Sequence, residues 1–371
     1  MSEAGRASGP DSIMHVVTDF SSAEGAQTML ARLLRLSRGR KRVVVVSLRG
    51  VSERTRALAD NPDVIYHSLG MTSPLHMPRV LAKLAALVRA ERPDVLLCWM
   101  YHAMALGAMA GRLTGTPTYW TVRQSLEDRG ALTQSTRAAL WACRLLSRWP
   151  RGVMYNSSRS QALHLDYGYD NPNSIMIPNG FDLPGIAAPV PPATARVFGI
   201  AGRLHPQKDH PNFFKAAALA GRDYPHVRFC VAGKGMTSDN PEVQSMMEAA
   251  GARPEQFELL GELSDMTAFY QRIDALVLSS RTEGFPNVVA EAMSYGRPVV
   301  TTDVGDAADI VGDTGVVCPP RDPEALAAGI AYFAGASADD YCDKAQSALR
   351  RIEEKYSLPR IFKDYHNFLE T

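Results

Sequence analysis

Arg281-Thr-Glu-Gly-Phe-Pro-Asn-Val-Val-Ala-Glu-Ala-Met-Ser-Tyr-Gly-Arg-Pro-Val-Val300 is the segment that indicates most clearly how this chain folds. It follows the apolar run Ala275-Leu-Val-Leu278 and leads into a second one, Pro298-Val-Val-Thr301. Short apolar runs of this kind are typical of strands buried in a parallel sheet. We therefore predict a strand, a loop, a helix and a second strand. Glu283 lies in the loop, at the carboxyl edge of the sheet where α/β proteins bind ligands.

The helix within this segment is predicted from its proline. Pro286 is expected in the first helical turn, because the N–H group that proline lacks would have no partner there. The helix then starts near Asn287 and places Glu291 about one turn in, on the same side as the loop. Glu283 and Glu291 would flank a helix N-terminus whose N–H groups favour anions. A sugar nucleotide, with hydroxyl and phosphate groups, suits this arrangement.

The two glutamates also carry a family resemblance. Glu283-x7-Glu291, set within Glu-Gly-Phe-Pro-Asn and Glu-Ala-Met-x-x-Gly-x-Pro-Val-Val, resembles the signature of the retaining family 4 glycosyltransferases, the group 1 enzymes of the GT-B fold. The spacing alone is a weak signal, and an ordinary strand–loop–helix with a solvated glutamate is the alternative. The surrounding residues favour the family. This resemblance implies two Rossmann-like domains that face a cleft.

Composition sets the class of protein. The chain has 371 residues, enough for two domains, and its 46% hydrophobic and 21% charged residues are typical of a globular protein. The five cysteines form no CxxC pair, which favours reduced thiols in a cytosolic protein. No apolar run reaches the length of a transmembrane helix, and the N-terminus lacks the apolar core of a signal peptide. Residues 1–11 are expected to form a disordered tail.

Short apolar runs alternate with helical patterns along the whole chain, which predicts an α/β fold of doubly wound parallel sheets. The runs are Ile13–Val17, Val43–Ser47, Val64–Tyr66, Val95–Trp99, Thr118–Val122, Val153–Asn156, Ser174–Ile177, Val197–Ala201, Val227–Ala232, Phe257–Leu260, Ala275–Leu278, Pro298–Thr301 and Gly315–Cys318. The proline-rich segment 184–192 is predicted to be a linker. We assign an N-terminal, acceptor-side domain to residues 12–185 and a C-terminal, nucleotide-sugar-binding domain to residues 186–356. The resemblance implies that the last helix, about 357–371, crosses back to the first domain.

Two cations follow the first strand of the second domain. The turn Gly202-Arg-Leu-His-Pro-Gln-Lys-Asp209 contains Arg203 and Lys208, which the resemblance assigns to the donor diphosphate. A nucleoside diphosphate gains charge as it leaves the sugar, and two fixed cations stabilise that charge. No DxD motif stands at a comparable strand end, so the cations are expected to replace a metal, and no cofactor is expected. An exposed turn is the alternative.

The resemblance supplies the other donor-binding residues. Glu291 is expected to bind the ribose hydroxyls and Glu283 the hydroxyls of the transferred sugar. Gly202 and Gly233 begin glycine turns at the donor, the second forming the floor beneath the nucleotide, and the backbone near Leu263 is expected to read the base. Three further residues, whose amides are expected to meet the sugar or phosphate, are Phe285, Asn287 and Val288.

The first domain departs from the family pattern in places. Gly25 can supply a tight strand-to-helix turn near the donor phosphate, but Glu24 stands where relatives have glycine and would repel a diphosphate unless it points away or binds the acceptor. A plain helix cap is the alternative. His102 ends a strand and is expected to orient or deprotonate an acceptor hydroxyl, unless it is a buried structural histidine. Arg123 stands where many relatives have histidine. Because arginine cannot act as a base, it is expected to bind phosphate or an acidic acceptor group.

Charge is divided unequally between the two halves. Residues 1–185 hold 22 basic and 14 acidic residues (+8), and residues 186–371 hold 18 and 25 (−7), which sum to the net charge of +1. The segment 137–151 interleaves arginines with Leu140, Trp141, Leu145 and Trp149, as expected of a helix lying on an anionic membrane. A core-facing stripe with a solvated basic face is the alternative. Nucleic acid is disfavoured because no recognised binding motif accompanies the charge.

The resemblance implies a retaining glycosyltransferase, and the lack of a DxD motif favours one that needs no metal. Trp99-Met-Tyr-His102 followed by Arg123 is similar to a branch of the family that builds bacterial surface polysaccharides. The protein would transfer a hexose or N-acetylhexosamine from a nucleotide sugar to a glycan or lipid-linked acceptor. UDP is favoured because Phe285-Pro-Asn287 resembles the variant found in members that use UDP sugars. We expect it in the cytoplasm or at the inner face of the membrane. A sugar-nucleotide epimerase of the same fold and a non-catalytic sugar-nucleotide-binding subunit are the alternatives. The sequence leaves open the donor sugar and base, the acceptor, the linkage formed and the oligomeric state.

Overall fold

A computed structural model describes residues 10–22, 25–39, 42–127, 129–184 and 195–371. These residues divide into two compact units. The first comprises the described part of Met1–Gly180 together with Leu358–Thr371, and the second comprises the described part of Phe181–Ser357. Glu24, most of the predicted N-terminal tail and most of the predicted linker lie outside the described residues.

The first unit contains a parallel sheet of seven strands in the order β3-β2-β1-β4-β5-β6-β7. The strands are β1 (Ser12–Val17), β2 (Arg42–Ser47), β3 (Ile65–Ser68), β4 (Val95–Trp99), β5 (Thr118–Val122), β6 (Gly152–Tyr155) and β7 (Ser174–Met176). Its helices are α1 (Gly25–Leu36), α2 (Glu53–Ala59), α3 (Met77–Glu91), α4 (Tyr101–Thr114), α5 (Gln134–Leu146), α6 (Ser158–Tyr167) and α14 (Leu358–Leu369), which closes the chain.

The second unit contains a parallel sheet of six strands in the order β10-β9-β8-β11-β12-β13. The strands are β8 (Val197–Ala201), β9 (Arg228–Ala232), β10 (Phe257–Gly261), β11 (Ala275–Leu278), β12 (Val299–Thr302) and β13 (Val316–Cys318). Its helices are α7 (His210–Asp223), α8 (Pro241–Ala250), α9 (Thr267–Arg272), α10 (Asn287–Ser294), α11 (Ala307–Val311), α12 (Pro323–Ala334) and α13 (Ala338–Tyr356). The prediction of two doubly wound parallel-sheet units is confirmed.

Burial on both faces of each sheet explains why the strands are almost continuously apolar. In β2, Val44 and Val46 belong to the core cluster on one face, whereas Val43 and Val45 belong to the cluster on the other. Successive side chains of a strand point to opposite faces, so a strand covered on both sides needs apolar residues at every position. This burial is what made the strands recognisable from the sequence.

Helix α14 packs on the first sheet through a stripe of apolar residues. The buried positions recur at three- and four-residue intervals, as on one face of a helix: Leu358, Ile361, Phe362, Tyr365, Phe368 and Leu369. A Cβ atom at Gly152 would overlap the ring of Phe368, so glycine in β6 admits the helix at this point. Each fully buried large apolar side chain contributes about 1.5–3 kcal/mol relative to an exposed one, which holds the C-terminal helix on the first unit.

The strand order places a ligand-binding edge in each unit. In the first sheet β1 lies between β2 and β4, and in the second β8 lies between β9 and β11. The connection after β1 or β8 therefore runs to one side of the sheet, and the connection after β4 or β11 runs to the other. Such switch points open a crevice at the carboxyl ends of the central strands. In the second unit the neighbours at this point are β8 and β11, and their following loops contain Lys208 and Glu283.

Candidate active site

Lys208 and Glu283 form an ion pair at the carboxyl edge of the second sheet. The Lys208 Nζ atom donates to Glu283 Oε1 at 2.6 Å, and the Ser280 hydroxyl donates to the same oxygen at 2.6 Å. The two charged side chains retain 24% and 14% of their accessible surface. The pair is therefore held inside the protein but can be reached by a ligand.

The loops after β8 and β11 are joined by three further hydrogen bonds. The Ser279 hydroxyl donates to the carbonyl oxygen of Lys208 at 2.7 Å, and the Arg281 amide donates to that of Gln207 at 2.7 Å. Arg281 Nη2 also donates to the buried carboxylate of Asp209 at 2.7 Å, and this bond raises the pKa of Arg281. These contacts fix the backbone on both sides of the ion pair.

Asp209 and Arg281 were not predicted from the sequence. Asp209 adopts a left-handed backbone conformation, with φ of 50°, between the turn Pro206–Lys208 and α7. Aspartate tolerates this conformation better than most residues, and an aspartate directly before a helix was the only local signal. Its partner Arg281 is 72 residues away in the sequence, so spacing within either segment does not reveal the pair.

Two glycine turns lie beside the ion pair at the ends of β8, β9 and β10. The Gly202 amide donates to the Ala232 carbonyl at 2.9 Å, and the Gly233 amide donates to the Gly261 carbonyl at 2.7 Å. A Cβ atom at Gly233 would collide with the Gly202 carbonyl oxygen, and one at Gly202 would lie 3.2 Å from the side chain of Lys208. Glycine is thus required for the backbones to approach each other and for Lys208 to pass over them.

Arg203 follows Gly202 and is exposed. Its carbonyl oxygen lies 3.1 Å from Nε2 of His210, a buried ring at the start of α7. Burial lowers the pKa of His210. The structure anchors the backbone of Arg203 and leaves its side chain accessible at this edge, but it does not place the guanidinium in contact with Glu283.

Helix α10 begins at Asn287, as predicted, but Pro286 takes the cap position before the helix and not the first turn. Its ψ of 90° is non-helical, which is the conformation expected of a capping residue. The side chain of Phe285 is buried and stacks on Phe181 with ring centroids 6.1 Å apart. Val288 packs against the same apolar core and Asn287 is half-buried. Only backbone groups of Phe285 and Val288 are thus suited to a polar ligand.

Glu291 lies on α10 with its carboxylate held by a tyrosine. Tyr270 Oη donates to Glu291 Oε2 at 2.8 Å, and the Tyr270 ring stacks on Tyr295 at 5.3 Å. This tyrosine was not predicted as a site residue, because it comes from the short helix α9. Leu263, in the loop after β10, is half-buried against the same core.

Gly305, in the loop after β12, supports the backbone that carries Glu283. Its φ is 55°, and a Cβ atom there would overlap the carbonyl oxygens of Gly284 and Glu283. The Asp306 amide donates to the Gly284 carbonyl at 3.1 Å. The loops after three strands, β8, β11 and β12, therefore converge on the Glu283 segment.

In the first unit, His102 lies at the start of α4, after Met100 with its left-handed φ of 69°. Its Nε2 atom is 2.8 Å from the Ser135 hydroxyl. Burial, and then the positive charge of Arg49, lowers the pKa of His102. The ring is therefore neutral at neutral pH, which is the state that a base or a hydrogen-bonding residue needs.

Arg123 is enclosed at the carboxyl end of β5. Its Nη1 atom donates to Asn179 Oδ1 at 2.5 Å, and its guanidinium lies 5.0 Å from the Trp99 ring and 5.5 Å from the Tyr365 ring. Within the described residues, Nε and Nη2 are buried and have no hydrogen-bond partner. Burial lowers the pKa of Arg123 to about 9. Phosphate binding by Arg123 stays a prediction, as does donor binding by Gly25, the exposed first residue of α1.

Helix α5 separates the apolar residues of the basic segment. Leu140 faces the core, contrary to its expected place on a membrane-facing surface, because it lies on the same helical face as the buried Ala139 and Cys143. Trp141 and Leu145 point outward and are exposed. Across the described residues, the helices are too short or too polar for any of them to traverse a lipid bilayer.

Two family profiles match the chain, one in each unit. The profile described as "Glycosyl transferases group 1" matches residues 195–334, and the one described as "Glycosyl transferase 4-like domain" matches residues 24–180. Together they cover the second sheet, the first sheet apart from β1, and the segments that carry Lys208, Glu283 and Glu291.

Curated relatives share part of the chain. The lipopolysaccharide core biosynthesis mannosyltransferase LpcC of Rhizobium leguminosarum is 27% identical over 70% of this chain and 73% of its own length. An exopolysaccharide phosphotransferase of Streptomyces coelicolor is 30% identical over 54% of this chain but only 21% of its own length. An O-antigen chain mannosyltransferase of Escherichia coli is 29% identical over 35% of this chain and 34% of its own length. The chain thus spans about a third or less of the length of two of these relatives.

Solved structures resemble the whole chain. Anabaena HepE in complex with UDP has a TM-score of 0.80 at 20% identity, over 97% of this chain and 99% of that one. The lipopolysaccharide outer core galactosyltransferase WaaB has a TM-score of 0.75 at 16% identity, over 96% of this chain and 99% of that one. At such low identities the likeness shows the fold.

Proposed function

This chain belongs to the group 1 glycosyltransferases of the GT-B fold, and we propose that it transfers a hexose or N-acetylhexosamine, with retention of configuration and without a metal, from a nucleotide sugar to a glycan or lipid-linked acceptor. The single observation that carries the proposal is the Lys208–Glu283 pair. A cation and a carboxylate share one half-open site beside two glycine turns, so one group suits phosphate and the other suits sugar hydroxyls.

The hydrogen bonds of the pair leave capacity for a donor. Both bonds to the carboxylate end on Glu283 Oε1, so Oε2 can accept from a sugar hydroxyl. The Lys208 ammonium has three donors. It can keep its bond to Glu283 and turn the other donors toward the diphosphate. The donor would therefore add to the existing pair without separating it.

In the proposed reaction, the bond between the sugar C1 atom and the diphosphate oxygen breaks while a bond from C1 to the acceptor hydroxyl forms on the same face. The acceptor's proton passes to the departing diphosphate. Lys208 and Arg203 stabilise the charge that the leaving group gains, which is where fixed cations lower a barrier most. We assign no carboxylate as a nucleophile behind C1, as a double displacement would require.

Glu291 is proposed to bind the ribose. Its carboxylate is already oriented by Tyr270, so little side-chain entropy is lost when a ligand hydroxyl joins it. The glycine turns at Gly202 and Gly233 would let the nucleotide approach the backbone closely. For His102 we propose a role at the acceptor hydroxyl.

UDP is the proposed nucleotide. HepE, a protein of the same fold, has been crystallised with UDP-glucose, which is a property of that protein and supports UDP as the first donor to test. The lipopolysaccharide and O-antigen roles in the names of the relatives support an acceptor in surface-polysaccharide assembly. We propose that the protein acts in the cytoplasm, at the inner face of the membrane.

The test has two steps. Thermal unfolding is first measured with UDP-, GDP- and dTDP-sugars, and a rise in Tm with UDP-sugars is expected. A response to GDP-sugars alone would overturn the choice of UDP. The responding donor is then incubated with and without glycan or lipid-linked acceptors, and free nucleotide and the anomeric configuration of the product are measured.

The second step also separates the alternatives. Acceptor-dependent nucleotide release with retained configuration is expected. Conversion of the donor without any acceptor would identify an epimerase. Donor binding with no turnover across the acceptors would favour a non-catalytic subunit, and an inverted product would refute the proposed same-face reaction.

A further inference from the structure

Large apolar side chains are exposed among arginines on α5, just after it and at the end of α4. Trp141, Leu145 and Trp149 retain 56%, 60% and 51% of their accessible surface, and Leu113, at the end of α4, retains 58%. Tryptophan combines a large apolar body with a polar N–H group, and it is enriched where a protein meets the headgroups of a membrane. We refer to these four side chains as the apolar ring.

A basic cavity lies within reach of this ring. It has a volume of about 450 Å³, and its charged lining consists of Arg112, Arg148 and Arg151, with Trp149 beside them. The Arg112 guanidinium lies 5.9 Å from the Trp149 ring. Asp170 pairs with Arg148. Three positive charges and one negative charge thus leave the cavity with an excess of two positive charges.

The cavity is separate from the predicted site residues of the first unit. Its wall includes Thr116–Thr118, at the start of β5, and Arg151, just before β6. It therefore opens at the amino edge of the first sheet. His102 and Arg123 follow β4 and β5 at the carboxyl edge. The three arginines of the cavity have no role in the transfer reaction proposed above.

We propose that this face of the first unit docks on an anionic lipid bilayer, with the phosphate of one lipid headgroup in the cavity between Arg112, Arg148 and Arg151. Guanidinium groups bind phosphate through paired, charge-assisted hydrogen bonds. The apolar ring enters the boundary between headgroups and acyl chains, where tryptophan and leucine are stable.

The apolar ring distinguishes a lipid from a soluble anion as the occupant. A free phosphate or nucleotide would use the arginines and gain nothing from Trp141 and Leu145, which are exposed on α5 and do not line the cavity. A membrane uses both sets of residues at once. The Arg89 guanidinium adds positive charge beside the ring, since it donates to the Leu113 carbonyl at 3.2 Å.

Vesicle flotation of the full chain tests the proposal. Vesicles of phosphatidylcholine alone are compared with vesicles of phosphatidylcholine and phosphatidylglycerol in equal parts. The protein is expected to bind the mixed vesicles. This binding should weaken as the salt concentration is raised, because salt screens exposed charges. Each arginine near an anionic surface contributes about fivefold to binding, so Arg112→Gln with Arg151→Gln should weaken it about 25-fold.

The matched control removes two positive charges elsewhere on the same unit. Arg54→Gln with Arg79→Gln changes exposed residues in the first turns of α2 and α3, which follow strands at the carboxyl edge, opposite to the cavity, and binding should stay within about twofold, because charges far from the membrane are screened. Trp141→Ser with Leu145→Ser, both exposed and therefore tolerated by the fold, should weaken binding to the mixed vesicles. Circular dichroism confirms that each variant is folded.

Two further measurements examine the cavity itself. Arg112→Lys with Arg151→Lys keeps the charge but loses the paired hydrogen bonds, so a headgroup held in the cavity predicts several-fold weaker binding. Unchanged binding would overturn the headgroup site.

The second measurement is calorimetry with inorganic phosphate. Tight phosphate binding without vesicle binding would assign the cavity to a soluble anion. Equal binding to both kinds of vesicle would overturn the proposal as a whole. No readout depends on sugar transfer, so this test and that of the proposed function fail independently.

Discussion

Replacing Lys208 by methionine removes the ammonium group and keeps an apolar side chain of similar length. The stem of Lys208 passes close to Gly202, where an added Cβ atom would be 3.2 Å away, and methionine can occupy the same path. The variant therefore tests the charge with little change in packing. Glu283 keeps its hydrogen bond from Ser280 at 2.6 Å.

Two magnitudes are expected from this change. Removing one preorganised group that stabilises a developing negative charge costs about 2.7–4 kcal/mol, which is about a hundredfold to a thousandfold in kcat. Folding should lose much less. The pair retains 24% and 14% of its side-chain surface, so water can replace part of the lost bond, and a cost of about 1 kcal/mol follows from a typical hydrogen bond.

The assay measures initial rates of nucleotide release at saturating donor and acceptor, together with urea unfolding of the same samples. Lys215→Met is the matched control, because Lys215 lies on α7 in the same unit with 56% of its side chain exposed. It should leave kcat within about twofold, since surface charges away from a site contribute little. A Lys208→Met enzyme with kcat near that of the control would refute the role of this cation in leaving-group departure.

Three further predictions concern the same scaffold. Glu291→Gln should raise the Kd for the nucleotide by about tenfold, as expected for one lost hydrogen bond to a charged group, and leave the additional affinity due to the sugar unchanged. Calorimetry with the nucleotide and with the nucleotide sugar checks this. Equal nucleotide affinities of the variant and the unmodified protein would remove Glu291 from the ribose site. Gly233→Ala should lower the free energy of unfolding by about 3 kcal/mol, because a Cβ atom there meets the Gly202 carbonyl. Gly251 also has a positive φ, but a Cβ atom there would meet only Arg222, at 4.0 Å, so Gly251→Ala should cost about 1 kcal/mol. Similar urea midpoints for the two variants would contradict the close approach of Gly233 to the Gly202 carbonyl. Burial lowers the pKa of His164 from 6.5 to about 4, so this side chain binds more protons in the unfolded chain between these values. Its contribution to stability is complete above about pH 6.5 and falls by about 1.4 kcal/mol per pH unit as the pH drops toward 4, and the buried His15, with a pKa lowered to about 3, adds to the same slope. His164→Gln should reduce the slope by that amount in urea titrations, and an unchanged slope would show that His164 does not contribute to it.

Much of the candidate site could be predicted because its residues sit in local patterns. Glu283 and Glu291 belong to one strand–loop–helix segment, and Lys208 follows a recognisable strand. Parallel strands end at a common edge, and the resemblance assigns Lys208 and Glu283 to the same donor, so the two side chains are expected to lie close together. The ion pair at 2.6 Å agrees with that expectation.

The residues that hold the site in place were not predicted, because each acts through a partner distant in the sequence. Arg281 binds Asp209 from another loop, and Tyr270 reaches Glu291 from another helix. Gly305 is needed only because the Glu283–Gly284 backbone passes over it. Apart from the position of Asp209 directly before a helix, the local sequence of these residues does not reveal their partners.

Local sequence patterns were enough to find the strands and to divide them between two sheets, because burial on both faces requires apolar residues along a short segment. The candidate donor residues came from motifs within single segments that resemble those of the family. Tertiary structure alone decided how single side chains are used. In the folded protein Leu140 faces the core and Trp141 faces outward. Arg123 lies between Trp99 and Tyr365. One cavity is lined by Arg112, Arg148 and Arg151. Orientation and convergence depend on how helices pack on a sheet, and packing is a property of many distant residues at once.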